Sequence, residues 1–345
     1  MKKLIAISLS LLLAEYGTTQ GCVAIRNVNS FIPNIFIKEI QPDNKWILNV
    51  TNRYFEASST FVGDKFITDS LVTNRLNTLN FSLFKLLKKG WSLNLQIPVS
   101  ANSRKNSGDH GGPRTPKYTT KAFGLGDIRF TAYKWLFDES ANNKTNIQLG
   151  LGIKLPTGDY RYQDYFTRND STKILAPVDQ AIQLGDGGTG ITAEINSFYT
   201  ITSSINVFVN GFYLINPRDQ NGVSNLKGRN ASPIEIANNT QVMSVPDQFN
   251  IRGGINVDFK KITLNTSIRY EKVPLHDLIG GNKGFRRAAS ITSIEPGITY
   301  KAKNSFIFAF VGVPVKRNIV QSIENNMTPA GFADYIFTFG TQFNL

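Results

Sequence analysis

The chain of 345 residues carries a formal net charge of +13 and contains a single cysteine. One cysteine excludes an internal disulfide and a cysteine-rich zinc cluster. Lysine and arginine are dispersed along the chain without a nucleic-acid-binding motif, so the positive charge favours basic rims beside anionic lipid over nucleic-acid binding. No later segment approaches the roughly eighteen apolar residues of a transmembrane helix, which excludes that class.

The N-terminus has the three regions of a secretory signal. Lys2 and Lys3 precede an apolar run at 4–14, and polar residues follow through Gln20. The apolar run is too short to span a bilayer as a helix. We therefore predict that residues 1–21 are a signal peptide.

Three processing routes stay open at the end of this signal. The alternatives are cleavage after Gln20, cleavage after Ala24 with Cys22 and Ala24 as the small residues at the site, and lipidation of Cys22, for which Thr19 and Gln20 are poor preceding residues. The following residues, 22–45, are irregular in pattern, and we expect them to cross the periplasmic mouth of a barrel or to plug its lumen. Residues 46–345 are predicted to form the barrel itself.

The stretch 146–155 shows the pattern on which the fold prediction depends. Its apolar and polar residues alternate without a break, so an extended strand would have one apolar face and one polar face. At ~3.3 Å per residue the stretch is long enough for a tilted transmembrane strand, whereas strands of soluble domains are usually shorter. The polar face carries Lys154, which suits a wet lumen.

Similar alternation recurs along the chain and predicts about twelve strands. They are 46–60, 74–83, 91–99, 127–137, 146–155, 190–200, 205–215, 249–259, 262–271, 291–300, 306–315 and 333–345.

The links between these strands are sorted by length. Each odd-numbered strand is followed by a long link and each even-numbered strand by a short one. An up-and-down barrel would place all long links on one rim and all short links on the other, as outer-membrane barrels do. We predict an all-β transmembrane antiparallel up-and-down barrel with short periplasmic turns and long extracellular loops, in the outer membrane of a Gram-negative-type bacterium.

The polar strand faces carry charges of both signs, which we predict to line the lumen. Two interpretations stay open: ion pairs that stabilise and narrow a solvated lumen, or a ladder of charges that guides a polar or anionic solute. The predicted lumen-lining residues are Asp127, Arg129, Lys154, Glu194, Arg252, Asp258, Arg269, Glu271, Glu295 and Asp334.

Three loop aspartates are candidates for a binding site at the extracellular mouth. Asp179, Asp186 and Asp247 lie in Asp- and Gly-rich stretches before predicted strands. Such residues commonly form turns, and the alternative is that their carboxylates gather around calcium or a ligand hydroxyl. The spacing does not match an EF-hand, and we predict no metal site.

The loop after residue 272 holds the remaining candidates. His276 and Asp277 could form the base pair of a barrel hydrolase, but no serine sits in a recognisable nucleophile motif. Arg286 and Arg287 suit binding of lipopolysaccharide phosphates or an anionic solute at the rim. We therefore predict no catalytic residue, no enzyme activity and no cofactor.

Two motifs carry a family resemblance. Gly124-Leu125-Gly126-Asp127 is followed across a hairpin by residues 150–159, Gly-Leu-Gly-Ile-Lys-Leu-Pro-Thr-Gly-Asp. This hairpin resembles the meta-pathway phenol-degradation family of outer-membrane, transporter-like barrels. The resemblance implies uptake of small, often hydrophobic or aromatic compounds.

The expected function is that of an outer-membrane channel or transporter for small solutes. The alternatives are a non-conducting structural or adhesive barrel with ligand-binding extracellular loops, and a barrel hydrolase. The expected partners are outer-membrane lipid, lipopolysaccharide, a small-molecule solute and the outer-membrane assembly machinery during insertion; nucleic acid is not expected.

Overall fold

The computed structural model describes residues 20–21, 45–112, 116–137, 144–168, 171–237, 239–320 and 330–345. The predicted signal peptide and the irregular segment at 22–45 lie outside the described residues, apart from Gln20–Gly21 and Lys45, and stay predictions. Within the described ranges, no helix is both long and apolar enough to cross a bilayer.

Strands dominate the described chain, with one short helix, α1, at Pro233–Ala237. The strands are β1 Gln20–Gly21, β2 Trp46–Val62, β3 Lys65–Leu86, β4 Trp91–Asn106, β5 Tyr118–Leu125, β6 Arg129–Trp135, β7 Thr145–Lys154, β8 Gln163–Thr167, β9 Lys173–Pro177, β10 Gly190–Thr202, β11 Ile205–Ile215, β12 Gln220–Ser224, β13 Val242–Ser244, β14 Gln248–Phe259, β15 Ile262–Val273, β16 Ala289–Lys301, β17 Ser305–Ile319 and β18 Ala330–Asn344.

The large sheet closes on itself. Its neighbours run β2, β3, β4, β6, β7, β10, β11, β14, β15, β16, β17 and β18, and β18 pairs antiparallel with β2. Strands β5 and β6 both pair with β4 and together fill one strand position of the ring. The predicted antiparallel up-and-down barrel of twelve strands is confirmed.

Burial is inverted relative to a soluble protein. On β7, Leu151 is 67% exposed whereas Lys154 is 1% exposed. The same holds around the ring, where outward aliphatic and aromatic side chains are exposed and inward amides, hydroxyls and charges are buried. Contact with lipid tails on the outside and with a polar lumen on the inside accounts for this inversion.

The long loop predicted between the first and second strands is wrong. The predicted loop at 61–73 is mostly strand, because β2 and β3 continue upward and meet in a two-residue turn at Gly63 and Asp64. The alternation that marks a strand requires one face in lipid. The register of β2 against β3 shifts between Ala57 and Ser59 and between Thr60 and Phe61, and such irregularities interrupt the alternation although the backbone pairing continues.

The fourth predicted strand also differs. The predicted strand 127–137 begins instead at Arg129, and an additional strand, β5, occupies the end of the predicted loop. Residues 126–128 form a break between them, and the Gly126 amide donates to the Pro98 carbonyl at 2.8 Å. The break removes Asp127 from the strand and turns it towards the loops.

Asp334 stabilises the seam that closes the barrel. Its carboxylate accepts hydrogen bonds from the amide of Ser58 at 3.1 Å, the hydroxyl of Ser58 at 2.7 Å and the amide of Ser59 at 3.3 Å. These donors lie where the register of β2 against β18 shifts, so the carboxylate satisfies backbone groups that the sheet leaves unpaired.

We predict that Asp334→Ala lowers the free energy of unfolding by about 2 kcal/mol, because hydrogen bonds to a charged acceptor are lost at the seam. Thermal unfolding of the refolded barrel, read as loss of the fast-migrating band on an unheated gel, measures the change. Asp64→Ala, an exposed acidic residue in the β2–β3 turn, is the control and should leave the transition in place. Equal stability of the two variants would contradict this role of Asp334.

Candidate functional site

Charged side chains from the adjacent strands β14, β15 and β16 and from β2 form a network on the inner wall. Arg252 and Arg269 each lie 2.9 Å from Glu295, and Glu271 lies 3.6 Å from Arg53 and 3.7 Å from Arg269. All five side chains are at most 4% exposed. Three cations therefore share two carboxylates. The network narrows the lumen and leaves an excess of only one positive charge.

A second group lies on the opposite part of the wall. The hydroxyl of Tyr133 donates to Glu194 at 2.9 Å, and the guanidinium of Arg129 lies 5.3 Å from the ring centre of Phe212. Tyr133 can lie against β7 because Gly150 faces it: a Cβ there would come within 2.6 Å of the ring. The glycine of the family motif thus makes room for an aromatic side chain on the lumen wall.

Asp127 connects the strand break to a long loop. Its carboxylate accepts hydrogen bonds from the amide of Gly158 at 3.0 Å and the amide of Asp186 at 3.2 Å. Lys154 lies 3.6 Å from Asp127 and forms a close ion pair with Asp186. The Gly-Asp and Pro-Thr-Gly-Asp motifs therefore meet in space and fix the loop between β7 and β10 to the wall.

Residues 178–188 of that loop, here called the crossing segment, fold across the lumen. The side-chain nitrogen of Asn102 on β4 donates to the carbonyl of Ile182 at 3.2 Å, and the side-chain nitrogen of Gln180 donates to the carbonyl of Ser244 at 2.8 Å. Apolar side chains of the segment form a buried cluster against β5. The cluster contains Ala122, Val178, Ala181, Ile182 and Leu184.

A cavity of about 40 Å³ borders the crossing segment. It lies between the inner wall and this segment. Its lining residues are Leu76, Thr78, Gln96, Pro98, Ser100, Asn102, Gly126, Asp127, Arg129, Lys154, Gln183, Leu184, Asp186 and Gln248.

Above the cavity, four extracellular loops or strand ends meet in a buried cluster of charges, here called the ion-pair lock. Asp179 lies 2.5 Å from Arg287, 3.1 Å from Lys227 and 3.7 Å from Arg104. Asp109 lies 2.6 Å from Arg104 and 3.0 Å from Lys227. The lock joins the loops that follow β4, β7, β11 and β15 into one extracellular cap.

The lock determines the ionisation of its carboxylates. Burial raises the pKa of Asp109, but the charges of Arg104 and Lys227 outweigh burial and hold it well below its ordinary value of 3.8. Burial likewise raises the pKa of Asp179, and Arg104, Arg287 and Lys227 lower it by more. Both groups are therefore ionised at neutral pH.

The three loop aspartates do not gather at one place. Asp179 is in the lock and Asp186 pairs with Lys154. Asp247 accepts hydrogen bonds from the hydroxyl of Tyr213 at 3.0 Å and from two backbone amides. The alternative of a shared calcium site is wrong for these three, and no group of metal-ligating side chains occurs among the described residues.

The residues of the loop after β15 are also placed differently from the expectation. Arg286 is 2% exposed and forms a two-pronged ion pair with Asp277. Arg287 is 7% exposed and belongs to the lock. Neither reaches the rim to bind lipopolysaccharide, and Asp277 is occupied by Arg286 and so does not form a catalytic pair with the exposed His276.

Two predicted lumen residues have local roles. Asp258 accepts a hydrogen bond from the Thr263 hydroxyl at 2.6 Å beside the periplasmic turn between β14 and β15. Asp334 serves the seam described above. Both residues occupy inward-facing positions on their strands, but neither contributes to the central networks.

Sequence reasoning missed several residues of the site. Arg53 and Tyr133 lie at inward positions of alternating strands, so stricter use of that alternation could have found them. Arg104 lies beyond the predicted strand 91–99, in the part of β4 that the structure adds. Asp109 and Lys227 are in loops, where no periodicity marks a buried charge.

The comparisons agree with this architecture. Residues 51–172 match the family model described as "Putative MetA-pathway of phenol degradation". The resemblance drawn from the sequence is confirmed. No curated protein sequence matches the chain.

Solved structures share the fold. The chain is similar to an outer-membrane channel from Pseudomonas putida F1, with a TM-score of 0.61 and 12% identity over 88% of this chain and 97% of that one. It is less similar to the CymD monoaromatic hydrocarbon channel, with a TM-score of 0.43 and 8% identity over 94% of each chain. A Pseudomonas aeruginosa FadL homologue gives a TM-score of 0.41 and 8% identity over 88% and 90%. The protein has the fold of an outer-membrane β-barrel.

We predict that Asp179→Asn opens the cap, because Arg287 would lose its carboxylate partner and Arg104 and Lys227 would share the single carboxylate of Asp109. Breaking a buried ion pair by removing one partner costs about 3–5 kcal/mol. Cleavage of the loops by trypsin, in barrels inserted in vesicles, should accelerate at least about tenfold. The control is Asp159→Asn in the same loop, where the exposed carboxylate accepts a local bond from the amide of Arg161. If both variants are cleaved equally fast, the lock does not hold the cap.

A pH dependence follows from the lowered pKa of Asp179. Because the folded pKa lies below the ordinary value of 3.8, the stabilising charge is fully present above about pH 4 and is lost as pH falls through the folded pKa. We expect the difference in unfolding temperature between wild type and Asp179→Asn to stay constant from pH 8 to about pH 4.5 and to shrink only in stronger acid. A difference that already shrinks between pH 7 and about pH 5 would show that Asp179 is not held ionised by the lock.

Proposed function

We propose that the protein is a narrow, water-filled channel that passes small solutes across the outer membrane. The observation that carries the proposal is the state of the polar groups on the inner wall. Many of them are buried by protein yet have no hydrogen-bond partner among the described residues. Examples are side-chain atoms of Asn49, Asn94, Gln96, Ser293 and Thr338.

These groups indicate water in the lumen. A buried polar atom left without a hydrogen bond costs about 1–3 kcal/mol, and the examples come from several strands of the ring. Water supplies the missing bonds when a site is polar and large enough. A hydrated lumen inside a lipid-facing barrel is the physical basis of a channel.

The wall limits what can pass. Both charge signs line the lumen in paired networks, so we expect weak ion selectivity. The crossing segment restricts the bore and favours small solutes. The family resemblance supports aromatic or hydrophobic compounds as solutes, and this polar wall favours those that also carry hydrogen-bonding groups.

The outer surface supports contact with lipid. Trp46 and Trp91 are 43% and 48% exposed at the periplasmic ends of β2 and β4. Tryptophan at such positions forms the aromatic girdle of membrane barrels. Contact with lipopolysaccharide and with the assembly machinery stays a prediction.

We predict that the refolded barrel gives discrete single-channel conductance in a planar bilayer and that Ser100→Trp lowers it at least about twofold. Ser100 lines the cavity, and an indole there would fill a space that holds about three water molecules. The single-channel current through the wild-type barrel and through the Ser100→Trp barrel measures the effect directly.

The matched control is Ala101→Trp, the next residue on β4, which is exposed on the outer face. Its indole would lie in lipid and should leave conductance unchanged. A wild-type barrel that inserts but stays silent would overturn the channel proposal and favour the structural barrel. Equal loss in both tryptophan variants would show that the effect is on folding and not on the lumen.

A further inference from the structure

The cavity beside the crossing segment is bordered by an excess of unused hydrogen-bond acceptors. The side-chain oxygens of Gln96, Asn102, Gln183 and Gln248 are buried and have no hydrogen-bond partner among the described residues. All four residues line the same cavity of about 40 Å³. Four unpaired acceptors on residues that line one small cavity call for a ligand that donates several hydrogen bonds.

The orientation of two of these amides is fixed by their other ends. The nitrogen of Asn102 donates to the carbonyl of Ile182 at 3.2 Å. The nitrogen of Gln183 lies 3.4 Å from the carbonyl of Val178 and 3.1 Å from the sulfur of Met243. Because the nitrogens are used in this way, a flip would lose these bonds, and the oxygens are the groups left to face the cavity.

Arg129 adds donors to the same space. The residue is 6% exposed, and its Nε and one terminal nitrogen have no hydrogen-bond partner among the described residues. Its guanidinium lies over the ring of Phe212 at 5.3 Å, which holds it in place. A ligand at this site would therefore accept from Arg129 while it donates to the amide oxygens.

The charges that line the cavity balance. Arg129 and Lys154 supply two positive charges, and Asp127 and Asp186 supply two negative ones. Lys154 is engaged by both carboxylates. An ionic solute would gain no excess of opposite charge here, whereas an uncharged solute would meet both donors and acceptors.

We propose that the cavity is a binding site for a small, uncharged, polyhydroxylated solute of about the size of glycerol. The three hydroxyl groups of such a solute donate three hydrogen bonds, enough for three of the four amide oxygens, and their own oxygens accept from the guanidinium. The volume has room for about three water molecules, and adjacent hydroxyls of a small polyol would replace them. The site deepens the proposed function and rests on it, because it gives the channel a selective step.

The test measures the mean single-channel current of the wild-type barrel in a planar bilayer as glycerol is added. Glycerol bound in the lumen should reduce the current with a saturating concentration dependence. Trimethylamine N-oxide is the comparison solute, since it accepts hydrogen bonds but has no donor, and it should reduce the current only through viscosity. Glycerate, which carries hydroxyls and a negative charge, should act no more strongly than glycerol; a stronger effect would overturn the uncharged class.

Gln96→Leu removes one acceptor at nearly constant size. We expect the glycerol concentration for half-maximal reduction to rise about 3- to 10-fold, as loss of one hydrogen bond implies. The matched control is Gln148→Leu, an inward glutamine on β7 outside the cavity that bonds to Asn196 at 3.0 Å. It should leave the glycerol dependence unchanged.

Failure of the site and failure of the channel are distinguishable. A barrel that conducts but responds equally to glycerol and trimethylamine N-oxide would overturn the site alone. A barrel that does not conduct would overturn the channel. Saturation-transfer NMR of glycerol with the detergent-solubilised protein reads binding without conduction: a signal reduced by Gln96→Leu supports the site, and an absent signal overturns it.

Discussion

Closure of the ring between β18 and β2 is the constraint on which the other features depend. Inside a bilayer no water is present to pair with backbone amides, so each strand in the hydrocarbon must be hydrogen-bonded on both sides. The two terminal barrel strands meet over most of their length, and Asp334 pairs with backbone donors where the register shifts. Once the ring is closed, every inward side chain must share one confined lumen.

That confinement explains the dense polar interior. Across β11, β14, β15 and β16, a ladder of side chains runs from Asn206 through Asn256 and Asn265 to Thr299, with hydrogen bonds of 2.5–3.1 Å. The arginine and glutamate network follows further along β14, β15 and β16 and reaches Arg53 on β2. These inward side chains of both charge signs, together with the amides, restrict the width of the lumen.

On the extracellular side, hydrogen bonds and ion pairs of buried carboxylates hold the loops in place. Asp127 leaves the wall at the strand break and binds the loop that crosses the lumen. The ion-pair lock then connects this loop to its neighbours through Asp179. Because Asp127 holds the crossing segment to the wall and Asp179 contacts partners from other loops, the cap and the crossing segment form one unit, and the cavity between that unit and the wall has a defined shape.

The sequence by itself determined the barrel, its number of strands and the inward parity of most of its charges. It could do so because lipid on one face and a wet lumen on the other impose a period of two on every membrane strand. Lys154, Arg252 and Glu295 were found in this way. The same reasoning failed for the parts of β2 and β3 next to their turn, where register shifts interrupt the period, and for Asp127, which the strand break removes from its strand.

Only the tertiary structure decided which charges meet. Arg287 was expected at the rim and is buried against Asp179, more than one hundred positions earlier in the chain. Asn102 and Gln183 carry no sequence motif, yet the crossing segment brings their oxygens to one cavity. Loop contacts of this kind depend on long-range geometry that leaves no periodic trace in the sequence, because a buried charge in a loop needs a partner in space and not at a fixed spacing.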